Sequence, residues 1–151
     1  YEKNLSIEEY GSNHPAGNIG FMINNNISNI METTNLPIIS KNLNIIDVVF
    51  HMTKNKYPII FYTQDNKIKG IFTDGDLRRC ISNNKNNLDL DLEKFINYNF
   101  YSLNQNTKLL NLNVEFLIQN NLLSGIPILN DQQEVVGIIN KDILLKNNFC
   151  C

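Results

Sequence analysis

The sequence predicts an α+β fold made of two similar β-α-β-β-α units. Three observations lead there. A pattern recurs roughly seventy residues apart, as internal repeats do. Its first copy reads Tyr57-Pro58-Ile59-Ile60-Phe61, then Ile68-Lys69-Gly70-Ile71-Phe72-Thr73-Asp74-Gly75-Asp76-Leu77. Its second reads Gly125-Ile126-Pro127-Ile128-Leu129, then Val135-Val136-Gly137-Ile138-Ile139-Asn140-Lys141-Asp142-Ile143-Leu144. In each copy a polar turn, Gln64-Asp65-Asn66 or Asn130-Asp131-Gln132, joins the two apolar runs, which is the pattern of a β-hairpin. An apolar run at helical spacing precedes each hairpin.

The elements follow in order. Ser6-Ile7-Glu8-Glu9 fits a capping box and predicts a short helix ending near Tyr10. Gly11 to Gly17, with Pro15 among them, reads as a turn. Ile19, Met22, Ile23, Ile27 and Ile30 give an apolar-faced lead-in to the repeat. Pro37-Ile38-Ile39 is the first strand. Ile45, Val48, Val49 and Met52 then fall on one face of a helix. After the first hairpin a helix starts among the aspartates at 74 and 76, and the Asn/Lys-rich link from Asn83 to Asn87 reads as an exposed loop. In the second copy Phe100-Tyr101-Ser102 is the short strand, Thr107 is the expected N-cap, and Leu110, Val114, Leu117 and Ile118 form the helix face. The expected division is a lead-in over residues 1–26, a first unit over 27–86 and a second over 87–151. Each unit needs the other's sheet to bury its apolar face.

Composition narrows the function. The 151 residues allow one or two domains, and 42% apolar content supports a real core. Thirteen basic and fifteen acidic residues, net charge −2, supply no global field for nucleic acid. The apolar stretches are too short for a membrane span, and no basic region followed by an apolar one marks a secretory signal. The three cysteines, Cys80 and the adjacent Cys150 and Cys151, are odd in number and form no disulfide framework. A reducing cytoplasm is the expected compartment. His14 and His51 are far apart, and no His/Cys/Asp cluster has metal-ligand spacing, so neither a metal nor a cofactor is expected. The 28 asparagines are read as marking loops rather than function. Residue 1 is Tyr, not Met, which leads to the expectation of a longer parent protein.

The paired β-α-β-β-α pattern, with Gly70-Ile71-Phe72-Thr73-Asp74-Gly75-Asp76-Leu77 closing its first copy, resembles the CBS domain family. The resemblance covers roughly residues 27 to 149. It implies two units packed about a pseudo-twofold axis as a Bateman module, whose clefts bind adenine nucleotides or nucleotide-like ligands. Gly70 to Arg79, together with Ile30-Met31, is similar to the first CBS domain of bacterial D-arabinose 5-phosphate isomerases. The stretch Asn13-His14-Pro15-Ala16-Gly17-Asn18-Ile19-Gly20 resembles the His-Pro-Gly-Gly-x-Leu-Gly segment leaving their sugar isomerase domain, with Ala16 and Ile19 as departures. That family interconverts D-ribulose 5-phosphate and D-arabinose 5-phosphate for the synthesis of Kdo, a sugar acid of lipopolysaccharide or capsule. The implication is the C-terminal regulatory part of such an isomerase.

Thr73 and Asp76 carry the ligand expectation. A strand ending near Phe72 and a helix starting near Gly75 expose backbone N–H groups suited to a phosphate. The Thr73 hydroxyl adds a donor, Gly75 allows close approach, and Arg78 or Arg79 offsets charge, with helix phase letting only one of them face the cleft. The resemblance implies that Asp76 accepts the hydroxyls of a ribose diol. The competing reading is that Thr73-x-x-Asp76 is a variant capping box that stabilises the helix by about 1 kcal/mol without any ligand. Tyr57 at the cleft mouth is a candidate for nucleobase stacking, and otherwise a core or hairpin residue. In the second copy Asn140 replaces Thr73, and Gly137 to Asp142 is one residue shorter than Gly70 to Asp76. The expectation is a shortened turn that displaces Asp142 and leaves a structural site. The resemblance places His14 near the isomerase active site of the parent, where imidazole moves protons at near-neutral pH. Otherwise it bonds a linker turn.

Three functions follow. The module senses a nucleotide or nucleotide-activated sugar and regulates the isomerase. Alternatively it is a structural homodimerisation unit that holds a tetrameric parent together through exposed apolar helix positions. In the third reading it is the CBS pair of a sugar-nucleotide transferase.

Overall fold

The computed structural model describes residues 19–40, 44–83 and 92–149. The capping box at Ser6, the turn around Pro15, His14, most of the Asn83–Asn87 link and the Cys150-Cys151 pair lie outside those residues. Helix α1 (Ile19–Asn24) and a 3-10 turn (Ile27–Asn29) lead into β1 (Ile38–Ile39), α2 (Ile45–Asn55), β2 (Ile59–Gln64), β3 (Lys67–Thr73) and α3 (Asp74–Asn83). The second unit runs through a 3-10 turn (Leu92–Phe95), β4 (Leu103–Asn104), another 3-10 turn (Leu109–Asn111), α4 (Val114–Gln119), β5 (Ile126–Leu129), β6 (Val135–Ile139) and α5 (Lys141–Lys146). The two sheets share one topology. Their orders are β1-β2-β3 and β4-β5-β6, with the first pair parallel and the second antiparallel.

The hairpins form where the sequence places them. Asp65 and Asn66 both take positive φ, 51° and 62°, which matches the twist of a tight two-residue hairpin. In the second hairpin the Asn130 side chain accepts from the N–H groups of Gln132 and Glu134, so the longer turn closes on a side chain. Strand β2 is buried along nearly its whole length because both of its faces are covered. Alternate residues point to opposite faces. Ile60 and Tyr62 pack with Phe72, Val48 and Cys80 beneath the helices. Ile59 and Phe61 pack with Ile71, Leu129 and Ile138 in a core shared by both units. That shared core is why one unit alone leaves an apolar sheet face in water.

The lead-in segments cross over. Glu32 pairs with Ile138 of β6, while Asn97, near the start of the second unit, pairs with Ile71 of β3. The two bridges are equivalent, since Ile71 and Ile138 each follow the glycine of their repeat. Ile27 and Ile30 bury themselves among Leu109, Leu117, Ile126 and Leu144 of the second unit. The Ile27 N–H donates to Thr107 O at 2.9 Å, and the Leu109 N–H to Asn25 O at 3.0 Å. The crossing explains the repeat glycines. A Cβ on Gly70 would collide with Ile96 and sit 2.8 Å from Asn97 O, and one on Gly137 would sit 2.5 Å from Met31 Sδ and 3.0 Å from Glu32 O.

Several expectations are corrected. The second unit's first strand is Leu103–Asn104 rather than Phe100–Ser102. Thr107 caps no helix. Leu109–Asn111 make a 3-10 turn, Leu112 is extended at φ −74° and ψ 115°, and α4 restarts with Asn113 accepting from the Phe116 N–H at 3.0 Å. The residues buried there are Leu109, Leu112 and Leu117, while Leu110 and Ile118 are exposed. On α2, Ile45 and Val48 are buried and Met52 packs against the core, but Val49 is exposed beside Ile46 and Phe50. Helical spacing located an apolar face there, and a second apolar stripe lies next to it.

Candidate functional site

Each hairpin runs directly into a helix, and the first turn of that helix is where the predicted ligand residues gather. In the first unit the Asp74 N–H donates to Pro58 O at 3.0 Å, tying the start of α3 to the start of β2. The Thr73 N–H and hydroxyl both donate to Asp76 Oδ2, at 2.8 and 2.9 Å, and the Asp76 N–H returns a bond to Thr73 Oγ at 3.3 Å. This is the reciprocal capping box with Asp at the third helical position. Arg79 Nη2 donates to the other carboxylate oxygen, Oδ1. Oδ2 is therefore filled by Thr73 while Oδ1 keeps one lone pair beside Arg79, so a ribose diol that needs two acceptor sites there has to displace Thr73 or Arg79. Arg78 turns the other way and pairs with Asp74 Oδ2 at 2.8 Å, on the exposed side of α3. Arg79, not Arg78, is the cation beside Thr73, Gly75 and Asp76.

In the second unit Asn140 stands where Thr73 stands, because each lies three residues beyond its repeat glycine. Asn140 Oδ1 accepts from the Ile143 N–H at 3.0 Å and caps α5. The turn is therefore not shortened. The acid falls one helical position earlier, so Ile143 takes the place of Asp76. Among the described residues the Asp142 side chain has no hydrogen-bond or ion-pair partner and is exposed.

A cleft of about 240 Å³ lies where this helix start faces the first unit. Asn140, Asp142, Ile143 and Lys146 form one wall, and Asn55, Lys56 and Tyr57 form the other. Glu32 of the crossing segment also lines it. The cleft thus joins three of the sequence-predicted residues, Tyr57, Asn140 and Asp142. Thr73, Gly75, Asp76 and Arg78 lie at the other helix start, outside its lining.

Glu32 was not visible as a site residue in the sequence. Its Oε1 accepts from the Thr33 N–H at 3.0 Å, the Thr34 N–H at 2.9 Å and the Thr34 hydroxyl at 2.6 Å. The Thr34 hydroxyl, then the Thr34 and Thr33 amides, hold its carboxyl below the usual range, and Lys146 adds to this. Burial pushes the Tyr57 phenol up, and the Glu32 charge pushes it further. Lys56 sits at the C-terminal end of α2 in a left-handed conformation, φ 60°. Two lysines and two carboxylates thus line the cleft together. His51 is half-buried, with its Nδ1 3.4 Å from Asn55 Nδ2 and its ring edge-on to Phe50, as a packing residue would be. Among the described residues no group of three or more His, Cys, Asp or Glu side chains is placed to hold a metal ion, and no helix is long and apolar enough to cross a membrane.

The profile of the CBS domain matches residues 27–83 and 92–148, and the chain belongs to the CBS domain family. It is 26% identical over 145 residues to an uncharacterized protein of Helicobacter pylori strain J99, an alignment covering 95% of this chain and 44% of that protein. It is 38% identical over 79 residues to the arabinose 5-phosphate isomerase KdsD of Yersinia pestis, covering 51% of this chain and 24% of the isomerase. The chain thus spans less than half the length of these relatives. Among solved structures, the CBS domain pair of protein MJ0100 in complex with 5′-methylthioadenosine and S-adenosyl-L-methionine superposes with a TM-score of 0.67. The identity is 17%, over 80% of this chain and 93% of that one, and the likeness is one of fold.

Proposed function

We propose that this CBS pair is a regulatory module that senses a nucleotide or nucleotide-like ligand in the cleft between its units, and that its parent is an arabinose 5-phosphate isomerase. The observation that carries the ligand reading is the cleft itself. Its lining brings together an aromatic ring, Tyr57, two lysines and two carboxylates. A ring suits a base, carboxylates accept from a ribose diol, and lysines balance a phosphate. The complex of the MJ0100 pair with adenosine-derived ligands supports the same class. The similarity to the Yersinia pestis isomerase and the His14-Pro15 segment support the parent, with His14 near its active site and the product feeding Kdo synthesis in the cytoplasm. Ligand binding regulates the parent if it changes how the module docks on the catalytic domain.

Isothermal titration against AMP, ATP, CMP and CMP-Kdo tests the ligand reading. A saturable heat with at least one of them is expected, and no heat with no thermal shift for any of them refutes it. Aldose–ketose isomerase activity of the full-length parent, changed by that ligand, tests the rest.

A specific observation also favours homodimerisation. Ile46, Val49 and Phe50 form an exposed apolar stripe on α2, with Ile46 75% and Phe50 60% accessible. Sedimentation is expected to show a dimer without ligand, and a strict monomer at high concentration would count against it.

A further inference from the structure

The two helix starts are related by the repeat, yet the segments that cross them differ in one atom type. Glu32 and Asn97 occupy equivalent bridge positions, paired through backbone bonds of 2.8 to 3.0 Å to Ile138 and Ile71. Each uses one side-chain oxygen to hold its own following turn. Glu32 Oε1 takes the three bonds from Thr33 and Thr34, and Asn97 Oδ1 accepts from the Asn99 N–H at 2.9 Å. What is left over is a carboxylate oxygen in one case and an amide NH2 donor in the other. Glu32 lines the cleft that also holds Tyr57 and Asp142.

We propose that Glu32 is the anchoring acceptor of the ligand in this cleft, and that it selects ribonucleosides carrying a free 2′,3′-diol. This deepens the functional reading above and rests on it. The bonds from Thr33 and Thr34 fix the carboxylate before any ligand arrives, so little side-chain freedom remains to be lost on binding. Oε2 takes no hydrogen bond among the described residues and can accept from both hydroxyls of a diol. The acid that the family resemblance assigns to this work, Asp76, spends Oδ2 on Thr73 and shares Oδ1 with Arg79, which leaves it one acceptor site against the two on Glu32 Oε2. The cleft volume, about 240 Å³, is below the usual range for whole small-molecule sites. It suits a nucleoside, with a phosphate reaching outward to Lys56 or Lys146.

The test is titration calorimetry of the wild-type chain and E32Q with AMP and CMP and with their 2′,3′-dideoxy forms. The amide of E32Q keeps a carbonyl for Thr33 and Thr34 and turns a donor toward the cleft. For the wild type we expect at least tenfold tighter binding of the diol form of the nucleotide that binds. For E32Q we expect weaker binding, with the two forms alike within twofold. Equal binding of diol and dideoxy forms to the wild type overturns the proposal, and that comparison needs no variant. So does an unchanged affinity and diol preference in E32Q. In either case binding itself persists and the nucleotide-sensing reading stands. Failure of both AMP and CMP to bind the wild type also overturns the proposal, and the wider ligand panel then decides the sensing reading separately.

Discussion

Gly137→Ala is the substitution whose effect the structure sets most sharply. The added Cβ would lie 2.5 Å from Met31 Sδ, 2.8 Å from Met31 Cγ and 3.0 Å from Glu32 O. Met31 can swing aside, because its side chain is flexible. Glu32 O cannot, because the Ile138 N–H donates to it at 2.9 Å and the Glu32 N–H returns a 3.0 Å bond to Ile138 O. The crossing segment must therefore move by a few tenths of an ångström, or the bridge must stretch. Overpacking of this kind costs about 1–3 kcal/mol. The loss of chain entropy in the unfolded state gives back about 0.4–1 kcal/mol, and the midpoints of the two ranges leave a net loss of roughly 1–2 kcal/mol. For a chain of this length that lowers Tm by about 2–8 °C. Gly75→Ala is the control, since its Cβ would meet nothing nearer than Arg79 and Thr73 at 3.6 Å. There only the entropic gain remains, and stability should hold or rise by up to about 1 kcal/mol. Urea unfolding of both variants separates the two effects. Equal stabilities for Gly137→Ala and the wild type would refute the close-crossing argument, as would an equal loss in Gly75→Ala.

Other outcomes follow from the same geometry. Asn140→Ala removes the acceptor for the Ile143 N–H and should cost about 1 kcal/mol, read from the urea midpoint. Arg78→Met breaks an exposed i,i+4 pair with Asp74 and should change stability by no more than about 0.5 kcal/mol, a shift that vanishes at high salt. The depressed carboxyl of Glu32 predicts an acid limb. A group with a lowered folded-state pKa adds stability that is complete above its ordinary value and lost as pH falls through the folded one. The wild type should therefore lose stability relative to E32Q only as pH falls from the ordinary carboxylate value through the lowered folded one, and a difference appearing near neutral pH would contradict this. Phe50→Glu should abolish self-association with little change in Tm, because the ring is 60% accessible in one chain.

Local chemistry was legible in the sequence, and long-range pairing was not. The hairpins, the Asp65-Asn66 turn and the β-α-β-β-α order come from patterns a few residues long, and all appear in the structure. The capping of α3 by Thr73 and Asp76 was one of two readings, and it is realised in the hydrogen bonds. The second unit's helix was misplaced because periodicity ran through Leu110 to Ile118 without registering the break at Leu112. The role of Ile27 and Ile30 was hidden for a different reason. Their apolar spacing shows that they are buried, but nothing local says that their partners are Leu109, Leu117 and Leu144 in the other unit. Glu32 has the same defect as a signal. It is a single acid after Met31, and only its bridge to Ile138 places it beside Asp142 and Tyr57.

The difference between the two units lies in how each divides the work of starting a helix from the work of meeting a ligand. In the first, the atoms that the resemblance offers to a ligand already start the helix. Asp76 Oδ2 holds the Thr73 amide and hydroxyl, and Oδ1 holds Arg79, so a ligand that needs both oxygens competes with the helix cap. In the second, the cap belongs to Asn140 alone, and Ile143 fills the third helical position with an apolar side chain. The acids facing that cleft come from elsewhere, Asp142 from the second helical position and Glu32 from a segment that starts in the other half of the chain. Losing the Thr-x-x-Asp pattern therefore does not make the second site a blank copy of the first. It leaves Asp142 outside the helix cap, while Glu32 holds its own turn through Oε1 and keeps Oε2 open, and open acceptors are what a diol-bearing ligand needs.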